Sequence, residues 1–155
     1  MSSYYTAQIC LNGHEISCRS NDAEKFCTKC GSEAITSCPT CTASIRGKRN
    51  DPGIIDCTPY IVPSYCYNCG QPYPWTQSSL DAIKELIEFD EMLSNEEKTY
   101  MSENLPNLPI DTPKTKVVAT KFGVFLRKAG AATGNALRDI LVDIVSEAAK
   151  KIIFP

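Results

Sequence analysis

Residues 10–41, CLNGHEISCRSNDAEKFCTKCGSEAITSCPTC, together with residues 66–70, CYNCG, decide the fold of this chain. They contain four short pairs of metal-binding residues: Cys10-x-x-x-His14, Cys27-x-x-Cys30, Cys38-x-x-Cys41 and Cys66-x-x-Cys69. The Cys-x-x-Cys spacing lets one tight turn direct two thiolates at one ion. Eight ligands suffice for two closed tetrahedral sites, so the pattern predicts two structural Zn²⁺ ions.

A disulfide framework is the main alternative, because the chain has nine cysteines. The first residues, MSSYY, do not form the basic and apolar pattern of a signal peptide. We therefore expect a cytoplasmic protein with reduced thiols, in which Cys-x-x-Cys pairs bind metal rather than form disulfides. A redox dithiol is also conceivable, but three tandem pairs and a histidine favour metal.

The sequence leaves two ways of pairing the ligands. Sequential pairing, which we favour because it closes only short loops, gives one site from the first two pairs and one from the last two. Interleaved pairing joins the two central pairs and leaves the outer pairs to meet across the domain. The remaining cysteines, Cys18 and Cys57, have no partner at ligand spacing, and we expect ordinary buried or surface thiols.

The hydrophobic pattern divides the chain into a double zinc ribbon, residues 1–75, and a helical domain, residues 76–155. The first is too polar for a large apolar core, so metal is expected to stabilise it. The second is predicted to contain three to four helices, the first of them starting at Ser78. The predicted fold class is a small α+β protein with short β-hairpins. No apolar run is long enough for a membrane-spanning helix.

Two further features are candidate binding residues. The first is a basic turn between Ser44 and Gly53, where zinc ribbons display a hairpin tip. Its cations suit phosphate or an acidic protein surface, although a solvated loop is the simpler interpretation. They are Arg46, Lys48 and Arg49. The second is Trp75, the only tryptophan, which is a partner contact if exposed and otherwise packs the ribbon against the next helix.

The helical region is uneven in charge and contains a stripe of small residues. Residues 76–111 are strongly acidic and residues 112–155 are basic, so we expect these segments to dock, within one chain or between chains. The small residues Ala119, Gly123, Gly130 and Gly134 share a face only if one helix continues through Gly130. Such a helix would drive self-association or partner binding; alternatively, Gly130 ends a helix and the last two helices pack antiparallel.

The chain resembles a bacterial family, the domain of unknown function 2321. The resemblance rests on the metal-ligand pairs and on short segments beside them. These segments are Ala7–Gly13, Ile45–Gly47, Pro72–Thr76 and Leu137–Ile144. It covers nearly the whole chain and implies a bacterial zinc-ribbon protein, while naming no activity. Cys18 and Cys57 lie outside the shared ligand pattern.

An enzymatic function is not expected. The single histidine, His14, is assigned to a metal site, so no catalytic pair with serine or cysteine can form. A catalytic zinc ion needs an open position, and both predicted sites have four protein ligands. We therefore predict a protein-interaction or assembly module. The alternative is a nucleic-acid-binding ribbon, which the slightly negative net charge of −2 disfavours.

Overall fold

The structure is a computed structural model that describes residues 3–20 and 24–155 of the chain. The chain divides into two compact units, Met1–Gln77 and Ser78–Pro155. Short antiparallel strands and both groups of metal-binding residues belong to the first unit, and the second unit is helical. The small α+β fold predicted from the sequence is confirmed.

Two small sheets form the framework of the first unit. One pairs β1 with β5, and the other has the order β3-β2-β4, with antiparallel neighbours throughout. The strands of the described residues are β1 (Ser3–Thr6), β2 (Gln8–Cys10), β3 (Glu15–Ser17), β4 (Ala34–Ile35) and β5 (Arg46–Asn50). Because no strand exceeds five residues, the sheets alone cannot stabilise this unit.

The apolar core of the first unit is small. Its buried residues are Ala7, Ile9, Cys38, Ile45, Cys66, Tyr73 and Trp75. Two of the seven are predicted metal ligands, so the core and the candidate metal centres share side chains. A core of this size needs covalent or metal cross-links for stability.

Two local predictions for this unit are wrong. The alternating pattern of Tyr4–Leu11 predicts a single strand, but this strand is divided at Ala7, whose N–H donates to the Ile45 carbonyl at 2.8 Å, and its halves enter different sheets. The predicted basic turn is instead strand β5. Gly47 in this strand lies so close to the Cys18 carbonyl that a Cβ atom would be 2.1 Å from its oxygen. Only glycine fits there.

Five α-helices and one short 3-10 helix form the described part of the second unit and the segment leading into it. They are α1 (Pro74–Phe89), α2 (Asn95–Asn104), the 3-10 helix Leu105–Asn107, α3 (Pro113–Lys128), α4 (Ala131–Ile144) and α5 (Glu147–Ile153). The apolar stripe of each long helix faces a common core centred on Ile87, Met101, Phe122, Leu137 and Leu141. No helix in the described ranges is both long and apolar enough to cross a membrane.

Two helices begin at capping signals that are visible in the sequence, Ser94-x-x-Glu97 and Thr112-Pro113. The Ser94 side chain accepts from the Glu97 N–H, and the Glu97 carboxylate accepts from the Ser94 N–H, which completes a capping box at α2. Helix α3 begins after Thr112 with Pro113 at its first position, as the Thr-Pro pair predicts.

Two other helix predictions are corrected, and the choice that the sequence leaves open at Gly130 is decided. Helix α1 begins at Pro74 rather than Ser78, because proline suits a first helical position. There are five α-helices in the described residues rather than three to four, because Ser146 caps a separate α5 through the Ala149 N–H. The helix does not continue through Gly130, which instead precedes α4.

The small residues of α3 contact the same chain. Ala119 and Gly123 are buried, and the nearest atom to a Cβ placed at Gly123 is the Ile152 carbonyl oxygen of α5, 4.0 Å away. Small side chains let α5 pack closely on α3. This stripe is therefore used within the second unit, which removes it as a reason for self-association.

Candidate metal centres

The first candidate centre combines three thiols and one imidazole. The ligand atoms of Cys10, His14, Cys27 and Cys30 all lie within 4.8 Å of one another. His14 faces the sulfurs through Nδ1, which is 3.4 Å from Cys10 Sγ and 3.7 Å from Cys27 Sγ. A metal ligand at Nδ1 requires the tautomer that carries its proton on Nε2.

The second candidate centre consists of four thiols. The sulfur atoms of Cys38, Cys41, Cys66 and Cys69 also lie within 4.8 Å of one another. Cys38 Sγ is 3.8 Å from Cys69 Sγ, and Cys41 Sγ is 3.6 Å from Cys66 Sγ. The structure thus groups the ligands in sequential rather than interleaved order.

These distances match a tetrahedral zinc site. Bonds of about 2.3 Å to sulfur and about 2.0 Å to nitrogen place two sulfurs about 3.8 Å apart, and a sulfur and a nitrogen about 3.5 Å apart. The measured separations, including 3.7 Å between Cys10 Sγ and Cys30 Sγ, agree closely. A disulfide would need about 2.05 Å. The donor set of each group fits a closed four-ligand site.

One backbone pattern occurs in all three Cys-x-x-Cys turns. The N–H of the first cysteine donates to the carbonyl five residues later, and its carbonyl accepts from the N–H four residues later. At Cys27 both hydrogen bonds are 2.8 Å long, and the corresponding distances are 2.8 and 2.9 Å at Cys38 and 2.9 and 2.9 Å at Cys66. This closed turn holds the two thiols of a pair toward the same point.

The fourth residue after each first cysteine adopts a positive φ. Gly31 and Gly70 fill this position in two turns, with φ of 74° and 72°. In the remaining turn it is Thr42, with φ of 66°, the one non-glycine residue with positive φ in the described chain. A β-branched residue is strained in this conformation, so the hydrogen-bonded turn must hold it there.

Amide groups of the turns donate hydrogen bonds to the sulfur atoms. The N–H of Lys29 contacts Cys27 Sγ, and the N–H of Asn68 contacts Cys66 Sγ, both at 3.4 Å. The His14 N–H lies 3.3 Å from Cys10 Sγ. Such bonds stabilise thiolates, which are the metal-binding form of cysteine.

The ionisation of two thiols reflects these donors. Hydrogen bonds from the Ser32 backbone, the Ser32 side chain and the Asn12 side chain lower the pKa of Cys30 to about 5. The Cys69 backbone is the main donor that lowers the pKa of Cys66 to about 6. Both thiols therefore favour the thiolate at neutral pH.

The fourth thiol of the second centre behaves in the opposite way. A backbone hydrogen bond from Gln71 lowers the pKa of Cys69. Burial and the three neighbouring thiols have the larger, opposite effect and raise this pKa to about 11. Thiolates so close together repel one another when no cation is between them. A divalent cation at the centre would offset this repulsion and displace the remaining protons.

The two cysteines of each turn differ in exposure. Cys27, Cys38 and Cys66, the first of each pair, are buried, whereas Cys30 is exposed and the other second cysteines are half-buried. Each centre therefore has a buried inner side and an outer side near solvent, and the inner side of the second centre is part of the small core.

The two unassigned cysteines lie outside both groups. Cys18 is half-buried and Cys57 is exposed. Burial, followed by the Glu15 carboxylate, raises the pKa of the Cys18 thiol, so it stays protonated at neutral pH. Neither is a ligand in the sequential groups, as predicted from their spacing.

The three basic candidate residues have different environments in strand β5. The Lys48 ammonium donates to the Asp56 carbonyl at 3.0 Å and lies 4.0 Å from its carboxylate. Arg49 forms an ion pair with Asp51 at 2.9 Å. Arg46 instead stacks on aromatic rings. They do not form one free basic tip.

The last candidate binding residue, Trp75, is buried. It is 9% exposed, stacks on Tyr73 with ring centroids 4.7 Å apart, and donates from Nε1 to the Pro63 carbonyl at 3.0 Å. A tryptophan with this packing and a bonded indole N–H is a core residue. It therefore offers little surface to a partner.

The family comparison covers almost all of the chain. Residues 3–153 match the profile of DUF2321, described as an uncharacterized protein conserved in bacteria. The chain belongs to the DUF2321 family. No curated protein and no solved structure gives a significant match. Membership in DUF2321 therefore identifies the lineage, and the geometry of the site must supply the chemistry.

Sequence reasoning missed the side chains that surround the ligands. The Asn12 amide donates to Cys30 Sγ at 3.4 Å and to the Ser32 hydroxyl at 2.8 Å. The Asn68 side chain is the main group that lowers the pKa of Cys41. The sequence contains a signal for these contacts, because both asparagines lie between the two ligands of a pair. From this position their amides reach a ligand of another pair.

Proposed function

We propose that this protein binds two structural Zn²⁺ ions and acts as a protein-interaction module without catalytic activity. The observation that carries the first part is the presence of two groups of four ligands at tetrahedral separations. Each bound ion would be surrounded by four protein donors and would link distant parts of the chain. No coordination position would remain for a substrate.

A catalytic role has little support from the other side chains. The single histidine belongs to the first group of ligands, which leaves no imidazole for acid-base chemistry. We therefore propose binding rather than catalysis.

Exposed apolar residues support a role in protein interaction. Between Asp51 and Tyr65, Ile54, Ile55 and Ile61 are 70%, 88% and 84% exposed. Burying an isoleucine side chain is favourable, so three exposed isoleucines in one short segment leave the free energy of their burial unused. A protein partner that covers this segment, which we call the isoleucine loop, would recover it.

Nucleic acid is the less favoured partner. Binding a phosphate backbone needs several cations that are free to contact successive phosphates. Lys48 and Arg49 already interact with Asp56 and Asp51. The charge of the thiolate ligands would make the metal-bound unit more acidic.

For the second unit, we propose self-association through oppositely charged helix faces. Glu85 and Glu88 are exposed on α1 near Phe89, which is 78% exposed. The exposed face of α3 combines lysines with Val117 and Val124, which are 55% and 48% exposed. The lysines are Lys114 and Lys121. A second copy of the chain offers surfaces complementary to both faces.

Metal analysis and partner binding test the proposal together. Protein purified under reducing conditions should contain two zinc ions per chain, and a chelator should unfold the first unit while the helical circular dichroism of the second remains. Selection of binding peptides from a random display library should succeed with zinc-loaded protein and fail with chelated protein. Fewer than two zinc ions, or equal selection by both forms, would contradict the proposal.

A further inference from the structure

The Arg46 guanidinium lies over two tyrosine rings on the surface of the first unit. Its guanidinium carbon lies 3.9 Å from the centre of the Tyr67 ring and 4.6 Å from that of Tyr4. Tyr67 and Tyr4 are each about half exposed, at 52% and 51%. We call these three residues the tyrosine–arginine stack.

The stack connects a metal-binding turn to the β1-β5 sheet. Tyr67 lies between the ligands Cys66 and Cys69, in a turn fixed by hydrogen bonds to its sulfur and backbone atoms. Tyr4 belongs to β1, and Arg46 to β5. The position of Tyr67 against Arg46 therefore depends on the turn that the second centre organises.

The backbone of Arg46 is also constrained. Its carbonyl accepts a hydrogen bond from the Tyr60 hydroxyl, and Thr6 of β1 is its pairing partner. The next residue, Gly47, packs directly on the Cys18 carbonyl. A side chain whose backbone is fixed and whose guanidinium contacts two rings loses less entropy when it binds a ligand.

The edges of the Arg46 guanidinium are not used. Within residues 3–20 and 24–155, its N–H groups make no hydrogen bond or ion pair, and both of its side-chain contacts are to ring faces. These N–H donors are therefore available to a ligand. In a guanidinium those donors form a fork that matches the two oxygens of a carboxylate.

The surrounding charges favour a single anionic group over a polyanion. Lys48 and Arg49 in the same strand each interact with an acidic residue. Arg46 is thus one unneutralised cation beside two aromatic rings, which suits one carboxylate flanked by apolar groups. A nucleic acid would require more free cations along its path.

We propose that the tyrosine–arginine stack binds an aspartate or glutamate side chain of a partner protein, flanked by apolar or aromatic residues. This proposal rests on the proposed role as a protein-interaction module and adds the chemistry of the partner. Tyr4 and Tyr67 would contact the flanking residues, and Arg46 would bind the carboxylate.

The test begins with a random heptapeptide display library selected against the zinc-loaded chain. We expect enriched peptides with one acidic position next to aromatic or aliphatic residues. A labelled peptide made from the enriched sequence should lose at least about tenfold in affinity for Arg46→Gln. Arg46→Lys should also weaken binding, because an ammonium cannot offer the planar fork.

Arg49→Gln is the matched control. It removes a cation from the same strand, and its side chain is 57% exposed and paired with Asp51. We expect affinity within about twofold of the original chain, since this residue lies outside the stack. Zinc content and circular dichroism should be unchanged in all three variants, which excludes misfolding as the cause of a loss.

Several results would overturn this proposal. They are enriched peptides without an acidic position, equal binding by Arg46→Gln, or binding of a ten-residue thymidine oligonucleotide that Arg46→Gln abolishes. If peptides are selected only by the zinc-loaded protein and bind Arg46→Gln as well as the original chain, the proposed function stands and only the binding role of the tyrosine–arginine stack is rejected. If zinc-loaded protein selects no peptide, the proposed function fails and this proposal fails with it.

Discussion

The Asp90 carboxylate accepts a hydrogen bond from the Gly130 N–H at 2.9 Å, across 40 positions of the chain. Its other oxygen accepts from the N–H groups of Met92 and Leu93 at 2.8 and 3.0 Å. Asp90 is only 2% exposed. This buried carboxylate therefore joins the end of α1 to the start of α4, where a negative charge is favoured by the helix dipole.

Replacing Asp90 by asparagine should destabilise the second unit in a manner that depends on pH. Burial raises the pKa of Asp90, but the hydrogen bonds from Gly130, Met92 and Leu93 outweigh it and lower the pKa overall. The stabilisation is present above the ordinary aspartate pKa of about 3.9 and is lost as pH falls through the lower folded value. At pH 7 we expect a loss of about 2–3 kcal/mol.

Urea unfolding of the full chain, followed by helical circular dichroism from pH 7 to pH 3, measures this effect. The difference between the original chain and Asp90→Asn should shrink below about pH 4. Because both proteins carry the same ligands, any acid-induced metal loss affects them equally. Glu88→Gln, an exposed change on the same helix, should show no such difference. A difference that is constant across this range would contradict the role of the charge.

The unusual conformation of Thr42 predicts a stabilising substitution. Thr42→Gly should raise the free energy of unfolding by up to about 1 kcal/mol, because glycine adopts a positive φ without strain. Gly31→Thr, the reverse change at the equivalent position of another turn, should lower it by about 1–2 kcal/mol. Thermal unfolding at fixed free zinc concentration measures both, and a destabilising Thr42→Gly would show that its side chain contributes more than the strain costs.

Single ligand substitutions should separate the two centres. Cys38→Ser should remove one zinc ion per chain and leave the first centre loaded, because no ligand is shared between the two groups. Cys27→Ser should do the converse. Metal content and cobalt absorption spectra measure this result: cobalt in the Cys38→Ser variant reports one nitrogen and three sulfur ligands. Loss of both ions from Cys38→Ser would contradict independent centres.

Charge exchange tests self-association of the second unit. A variant with Glu85→Lys and Glu88→Lys, and another with Lys114→Glu and Lys121→Glu, should each be monomeric, since like charges then face each other. In an equimolar mixture, each acidic face can meet a basic face of the other variant at both contacts, so the mixture should give a dimer in light scattering at about 100 µM, weakened by salt. If the original chain is monomeric at this concentration, or the mixture stays monomeric, the helix faces do not associate.

The ligand pairs could be predicted because a metal site is encoded in short spacings. The Cys-x-x-Cys turns close through local hydrogen bonds, so few distant contacts are needed to recognise them. The capping signals at Ser94 and Thr112 are local for the same reason. The sequence leaves two ligand pairings open, because the choice between them depends on which turns meet in space.

The predictions that were wrong depend on contacts distant in sequence. Arg46, Lys48 and Arg49 resemble an exposed turn in sequence, but β1 pairs with them to form a strand. The small residues leave open whether one helix continues through Gly130, and contacts distant in sequence decide against it: Asp90 bonds to Gly130 and α5 covers Gly123. Periodicity cannot reveal these partners, because it records only which residues share a helix face.

The unequal exposure of the paired cysteines gives each centre a direction of disassembly. The buried Cys38 and Cys66 sulfurs are fixed by the core, while Cys41 and Cys69 reach toward solvent. A chelator or an oxidant arriving from outside meets these outer sulfurs first. Metal exchange in this protein would then begin with dissociation of the outer ligands, while the inner pair still holds the ion and the strands stay folded.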